Sequence, residues 1–349
     1  MYLVGIIPGP REPALEEINH FFRPVVDFFL PSWKDGIWFT KTINHTAGRL
    51  SRSVIAVAVN DLPAARKLAG RAGPTTNQMC RLCWLLKSDI TDFDCKKWRR
   101  HTLEEHKAAA EEWVNAESKV ECDKIFKQHG VRWSELLRLP YWDPMRFIVI
   151  DGMHNLFLGL VQHHFRDGPK GSEVLSDNKI NAIQEKLGNV QRPTWHCGLP
   201  KNLGDTEHGK FKVEQWKSSI EFDLPVALMQ LWGSKHTADG TNADRKSQLQ
   251  KLVHSTMLLV IAIRWGTSHV TSSHHAQQYT RYMKAYLESI KGIFTHHSWR
   301  PNHHAALHIR EFLLRYGPMH GWWMFPFERI ISALQKTNTN YKIGERAIH

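Results

Sequence analysis

Cysteine is scarce in this sequence, and long apolar runs are missing. The 349 residues include five cysteines, without the spacing of a disulfide framework. The first residues lack a basic region and a small-residue cleavage site, so we expect no signal peptide. A reducing compartment is therefore favoured, where neighbouring cysteines bind metal more often than they oxidise. No run of about 18 or more apolar residues occurs, which excludes a membrane-spanning helix by sequence.

Acidic residues are also few relative to basic ones. Lys and Arg total 46 against 34 Asp and Glu, which gives a net charge of +12 and a pI of about 9.5. This surplus predicts attraction to polyanions, most often nucleic acid and sometimes an acidic membrane surface; a role in solubility alone is the alternative. The content of 42% hydrophobic and 23% charged residues is typical of a folded protein.

The first 70 residues alternate between strand and helix patterns. Residues 1–8 predict a buried strand, and residues 14–29 carry apolar side chains at helical spacing. Residues 53–59 form an apolar run that is typical of a strand covered on both faces, and it ends just before Asp61. A helix with Pro63 in its first turn should follow. Strand, helix and covered strand together predict an α/β fold.

The interior predicts helices instead. Residues 151–164 should form a buried helix that Asp151 could cap, whereas the Gly-, Asn- and Pro-rich residues 168–205 suggest an exposed connection. The predicted fold class is therefore α/β with a large α-helical insertion. The other helices are expected at residues 96–127, 224–232, 247–265 and 277–294.

Cys80 and Cys83 have the CxxC spacing that can hold one zinc ion from a single turn, but a tetrahedral site needs two more ligands. The plausible partners are His304 and His308, which share a face if their segment is helical. The alternative is that histidines, of which there are 22, are simply frequent.

Two acidic residues stand where a functional carboxylate could lie. Asp61 follows the predicted covered strand, a position where α/β sheets carry functional groups. Glu328 lies among aromatic residues in the first turn of a helix opened by Pro326, where a carboxylate is costly unless it is paired or binds a cation. Taken alone, Glu328 is better explained by the helix dipole or by Arg329.

An ordered series of motifs resembles the DDE transposases of CACTA (En/Spm-type) elements, particularly the fungal group called Plavaka. The resemblance runs along the whole chain, and the order and spacing of the motifs are more specific than any one of them. The motifs are IIPGP (6–10), VNDLPAA (59–65), CRLC (80–83), LPYWDP (139–144), DGMHNLFLG (151–159), HAALH (304–308) and WMFPFER (323–329).

The resemblance implies a partial RNase H-like core in which three acids bind two divalent ions, Mg²⁺ or Mn²⁺, for DNA cleavage and strand transfer. By position, Asp61 resembles the second acid and Glu328 the third. Cys80, Cys83, His304 and His308 resemble a structural zinc site, with His303 as the competing choice for the third ligand. The implied parts are residues 1–79 (core), 80–308 (insertion) and 309–349 (core helix with Glu328). The motif at Asp151 and His154 resembles a family hallmark, although a capped helix start explains it equally well.

The sequence departs from the family at its start, which resembles the third strand, and its first Asp is Asp27. We therefore expect a chain truncated at the N-terminus and also at the C-terminus, lacking the first catalytic acid. The favoured interpretation is a transposase-derived protein of the nucleus, catalytically defective and at most DNA-binding. The alternatives are an active nuclease and a zinc-stabilised helical adaptor. DNA is the expected partner, no membrane association is expected, and homo-oligomer formation stays open.

Overall fold

The structure is a computed structural model that describes residues 16–166, 177–188, 212–232, 243–293 and 297–336, with residues 4, 5, 7, 13, 14 and 191. These residues are mostly helical, with one small two-stranded sheet. This content is compatible with the predicted α/β fold with a helical insertion. The chain divides into two units. The first comprises Met1–Trp84, Arg99–Val149 and Met324–His349, and the second Leu85–Trp98 and Ile150–Trp323.

The first unit combines the sheet with seven helical segments among its described residues. The sheet pairs β1 (Ile37–Phe39) with β2 (Arg49–Ser51) in antiparallel register, Ile37 opposite Ser51. The helices are α1 (Ile18–Lys34), α2 (Leu62–Leu68), α3 (Leu103–Val114), α4 (Lys119–His129), the 3₁₀ turn Glu135–Arg138, α5 (Pro144–Phe147) and α14 (Phe325–Gln335).

Local capping explains where these helices begin. Thr102 and Glu105 form a capping box at the start of α3, and Ser118 accepts a hydrogen bond from the amide of Glu121 at the start of α4. The core of this unit comprises Val26, Ala65, Leu68, Ala69, Ala109, Ala110, Val131, Leu136, Leu137, Leu139, Trp142 and Ile148. Apolar burial of this kind is the main stabilising contribution.

The two strands predicted near the start are wrong where the structure describes them. Val4 and Ile7 are exposed and lie outside any strand; the remainder of residues 1–8 lies outside the described residues, apart from Gly5. Residues 53–59 are half-buried or exposed, and their only bridge within the described chain is a parallel one from Ala58 to Ile148. An apolar run favours extended backbone, but a strand forms only where a partner supplies a hydrogen-bonded ladder.

The first two predicted helices are confirmed, the first of them with shifted bounds. Helix α1 begins and ends later than the predicted residues 14–29 and continues through Pro24 and Pro31. Helix α2 begins at Leu62, as predicted, with Pro63 in its first turn. The prediction of one helix over 96–127 is corrected to α3 and α4, because Thr102 and Ser118 each cap a separate helix.

The second unit is helical throughout the elements that the structure describes. In chain order they are the 3₁₀ turn Lys87–Asp89, the π-helix Met153–Val161, α6 (Gln162–Arg166), α7 (Asp177–Gly188), α8 (Val213–Ser218), the π-helix Ser219–Asp223, α9 (Leu224–Trp232), α10 (Ala243–Gly266), α11 (Ser273–Ile293), α12 (Pro301–Ala306), α13 (Ile309–Tyr316) and the 3₁₀ turn Met319–Gly321. The predicted helices at 224–232, 247–265 and 277–294 are confirmed as α9, α10 and α11.

The predicted exposed connection at 168–205 is wrong at α7. Ile183 and Leu187 are buried four residues apart on one face of this helix, the spacing of an amphipathic helix. Apart from residues 177–188 and 191, the rest of that connection lies outside the described residues.

Close packing positions α12 against the first π-helix. A Cβ atom at Gly159 would come within 2.4 Å of the Asn302 side-chain nitrogen, so only glycine allows this approach without rearrangement. Asn155 donates a hydrogen bond to the Asn302 carbonyl at 3.2 Å, and Tyr279 on α11 donates one to the Ala306 carbonyl at 2.8 Å. These contacts fix the segment that carries His303 and His304.

Within the described chain, no helix has both the length and the apolar character needed to cross a membrane.

Candidate metal centre

The CxxC segment is a buried loop in the first unit. Cys80 and Cys83 are 6% and 1% exposed, and the amide of Leu82 donates a hydrogen bond to the Cys80 sulfur at 3.3 Å. Arg81, which lies between the cysteines, donates to the carbonyls of Pro144, at 3.0 Å, and Ile148. These bonds anchor the two residues between the cysteines and so restrict where both sulfurs can lie.

Positive charge near Cys80 favours its thiolate form, which is the form that binds metal. Arg66 and Arg71 are buried in the same unit. Burial lowers the pKa of both guanidinium groups to about 10, and the charge of Cys80 acts in the opposite direction. Because this attraction is mutual, each arginine stabilises a negative sulfur at position 80.

His304 and His308 lie in the second unit, on α12 and directly before α13. They are 2% and 0% exposed, and their Nε2 atoms are 3.1 Å apart. Two nitrogens that bind one tetrahedral zinc ion at the usual bond length lie about 3.3 Å apart. His308 Nδ1 is 3.0 Å from Glu311 Oε1, which fixes a proton on Nδ1 and leaves Nε2 as the ligand atom, as is common for metal-bound histidine. The Trp98 ring packs against both imidazoles, at 4.4 and 5.2 Å.

Cys80, Cys83, His304 and His308 form a buried group whose ligand atoms all lie within 4.8 Å of one another, and this group could bind a metal ion such as zinc. Two sulfurs and two imidazole nitrogens are the donor set that zinc prefers in structural sites. His303, the competing ligand, lies in a different group, with His163 and His297. Sequence reasoning missed this second group, because its members are separated in the chain and share no spacing motif.

Asp61 occupies the N-cap of α2. Its Oδ1 accepts a hydrogen bond from the amide of Ala64 at 2.7 Å, which is the structural role that Ser, Thr, Asp and Asn play at helix starts. Glu328 lies in the first turn of α14, after Pro326, and is exposed. An exposed carboxylate keeps its hydration, so the expected need for a cation partner does not arise here. A metal site shared by Asp61 and Glu328 stays a prediction.

Asp151 and His154 form a tight local arrangement in the second unit. The Asp151 carboxylate is 3% exposed and accepts hydrogen bonds from the amides of Met153, at 3.2 Å, and His154, at 2.8 Å. His154 Nδ1 is 2.7 Å from the same carboxylate. The predicted cap at residue 151 is therefore confirmed, and it stabilises the start of the π-helix.

No protein-family model matches the sequence, and no curated protein matches it either.

Proposed function

We propose that this chain is a CACTA-transposase-derived protein that binds duplex DNA, carries a structural zinc ion and does not cleave DNA. The nucleus is the compartment we propose for it. The observation that carries the proposal is the buried group of Cys80, Cys83, His304 and His308. The transposase resemblance assigns one zinc site to these four residues, although the cysteines and histidines lie far apart in the sequence.

The residues of this group suit zinc in a structural role. Zinc bound by two thiolates and two imidazoles has no open position, so it would stabilise the fold and would not activate water. The amide bonded to Cys80 and the carboxylate bonded to His308 would orient the ligands. Zinc itself supplies only the bonds that hold the four side chains together.

DNA binding is supported by the net charge of +12. Each Lys or Arg that neutralises a phosphate releases condensed counterions, which makes such binding strongly dependent on salt. Fluorescence anisotropy with a labelled duplex should therefore show affinity that falls steeply as salt rises. Weak binding that does not respond to salt would contradict the proposal and favour the zinc-stabilised adaptor instead.

The acids that the structure describes support the absence of cleavage. The Asp61 carboxylate caps α2 and Glu328 is exposed. Within the described residues, the groups of three or more side chains that could hold a metal contain only cysteine and histidine. Two-metal cleavage of DNA needs carboxylates that hold both ions close together.

A plasmid assay separates DNA binding from DNA cleavage. Supercoiled plasmid incubated with the protein and Mg²⁺ or Mn²⁺ should stay intact at concentrations that give full binding. Asp61→Asn and Glu328→Gln are the informative variants, because Asn still caps a helix while losing the charge. Nicking by the wild-type protein that either variant abolishes would establish catalysis and overturn this part of the proposal.

A further inference from the structure

Three further histidines of the second unit converge on one point. His163 lies on α6, His297 in the segment before α12, and His303 on α12 itself. Their ligand atoms all lie within 4.8 Å of one another. His163 and His303 are 1% and 0% exposed, and His297 is partly exposed. Burying three polar imidazole rings together costs free energy unless an interaction stabilises them.

The ring spacing matches three imidazoles arranged around one metal ion. The three ring centroids are 5.1 Å apart in every pair, with interplanar angles of 62°, 69° and 80°. A metal ion at the usual zinc–nitrogen bond length lies about 3.2 Å from each ring centre, so tetrahedral geometry predicts ring centres about 5.2 Å apart. His297 Nε2 and His303 Nε2 are 3.3 Å apart, again close to the edge of such a tetrahedron.

Each of these histidines can present one ring nitrogen to a metal. His163 Nε2 is 2.9 Å from the Ser298 carbonyl, which only accepts, so the proton lies on Nε2 and Nδ1 keeps its lone pair. His303 Nδ1 lies 3.1 Å from the Arg300 carbonyl and 3.0 Å from the Arg300 amide. In the tautomer that donates to the carbonyl, His303 Nε2 is the ligand atom. Histidines bound to metals commonly donate their other ring N–H to a backbone carbonyl in this way.

Neighbouring rings shield this position from water on one side. Trp299 packs against His297 and His303, with ring centroids at 4.8 and 5.2 Å. His297 is the one residue of the three that is not fully buried. The group contains no thiolate and no carboxylate, so its chemistry differs from that of the Cys80 group.

We propose that His163, His297 and His303, the triple-histidine site, bind a second divalent transition-metal ion with imidazole preference. Zn²⁺ is the first choice, and Co²⁺, Ni²⁺ or Cu²⁺ can replace it. Three protein ligands leave the fourth position open to water or a small anion, unlike the closed site with two cysteines. The inference does not depend on DNA binding.

Cobalt reconstitution tests the two metal sites separately, because Co²⁺ bound by thiolates has near-ultraviolet charge-transfer absorption and Co²⁺ bound by imidazoles alone has none. Metal-free wild-type protein titrated with Co²⁺ should take up two equivalents, one of which gives this absorption. His297→Gln should reduce uptake to one equivalent and keep the absorption. The matched control His254→Gln, at an exposed position on α10, should keep both equivalents.

Two more variants keep the test decisive. Cys83→Ser should lose the thiolate absorption but keep one imidazole-bound ion, so failure of the zinc site and of the triple-histidine site give different results. His297→Cys should add a second thiolate absorption, a gain that misfolding cannot mimic. Uptake of a single equivalent by wild-type protein, with full thiolate absorption, would overturn the proposal and leave the three rings as an edge-to-face aromatic cluster. Undiminished uptake by His297→Gln would overturn it as well.

Discussion

Asp151 offers the sharpest test of whether the motif at residues 151–154 serves structure or function. Its buried carboxylate accepts hydrogen bonds from two backbone amides and contacts the His154 ring. In Asp151→Ala, the loss of the cap costs about 0.5–2 kcal/mol, and each lost bond to a charged group about 1.5–3 kcal/mol. Desolvation of the carboxylate offsets part of this sum. We therefore expect Asp151→Ala to lower the free energy of unfolding by about 3 kcal/mol.

Asp151→Asn is the matched control, because asparagine caps helices about as well as aspartate. It keeps one acceptor oxygen and loses only the charge, so we expect it to cost about 1 kcal/mol. Urea unfolding followed by tryptophan fluorescence measures both variants, and hydrogen exchange across Met153–Val161 should show faster opening at the π-helix, most strongly in the alanine variant.

A capping role would be refuted if both variants lowered the free energy of unfolding equally. Asparagine still caps a helix, so an equal loss would mean that the negative charge itself is what stabilises the protein. A loss of DNA binding in a fully folded Asp151→Asn protein would also show that the negative charge is required. It would assign the motif a functional role. Unchanged stability in the alanine variant would show instead that the three contacts contribute nothing.

Three further predictions concern other parts of the chain. Cys83→Ser should remove one zinc equivalent by elemental analysis and lower Tm sharply, whereas Cys122→Ser should do neither. Burial lowers the pKa of His106 to about 3; since the unfolded state then binds the extra proton, stability should fall as pH drops from about 6.5 towards 3. His106→Gln should make the slope of stability against pH shallower by about 1.4 kcal/mol per pH unit in that window, and an unchanged slope would contradict it. Gly70→Ala, with φ +65° and a Cβ 2.3 Å from a backbone carbonyl oxygen, should cost about 2–4 kcal/mol in urea unfolding, whereas Gly73→Ala, whose Cβ meets nothing within 4 Å, should cost little.

Helical periodicity predicted the helices well because it reports a local property. Helix α11 lies where apolar residues recur at helical spacing, with Tyr279, Met283 and Tyr286 among its buried side chains. The start of α2 followed from Pro63 in its first turn, which is also local, whereas the N-cap role of Asp61 was not predicted. The strand at residues 53–59 failed because pairing depends on a distant segment, and the described chain supplies only the bridge to Ile148.

The candidate metal groups lie beyond what periodicity can predict. The spacing alone left open whether His304 and His308 bind the same metal ion as Cys80 and Cys83. The transposase resemblance favoured a single site made of these four residues. The triple-histidine site had no such support. Pairs such as His163 and His164 are explained in the sequence by the general abundance of histidine, and no sequence pattern indicates that His163 approaches His297 and His303.

Helix α12 carries one histidine of each candidate metal group. Its neighbouring residues His303 and His304 belong to different groups. Successive side chains of an α-helix point about 100° apart, so adjacent histidines cannot both face one ion but can serve two. The glycine contact at Gly159 and the bond from Asn155 hold this helix in place. A change that shifts α12 as a whole should therefore weaken both metal groups together, whereas loss of one histidine ligand should weaken only its own.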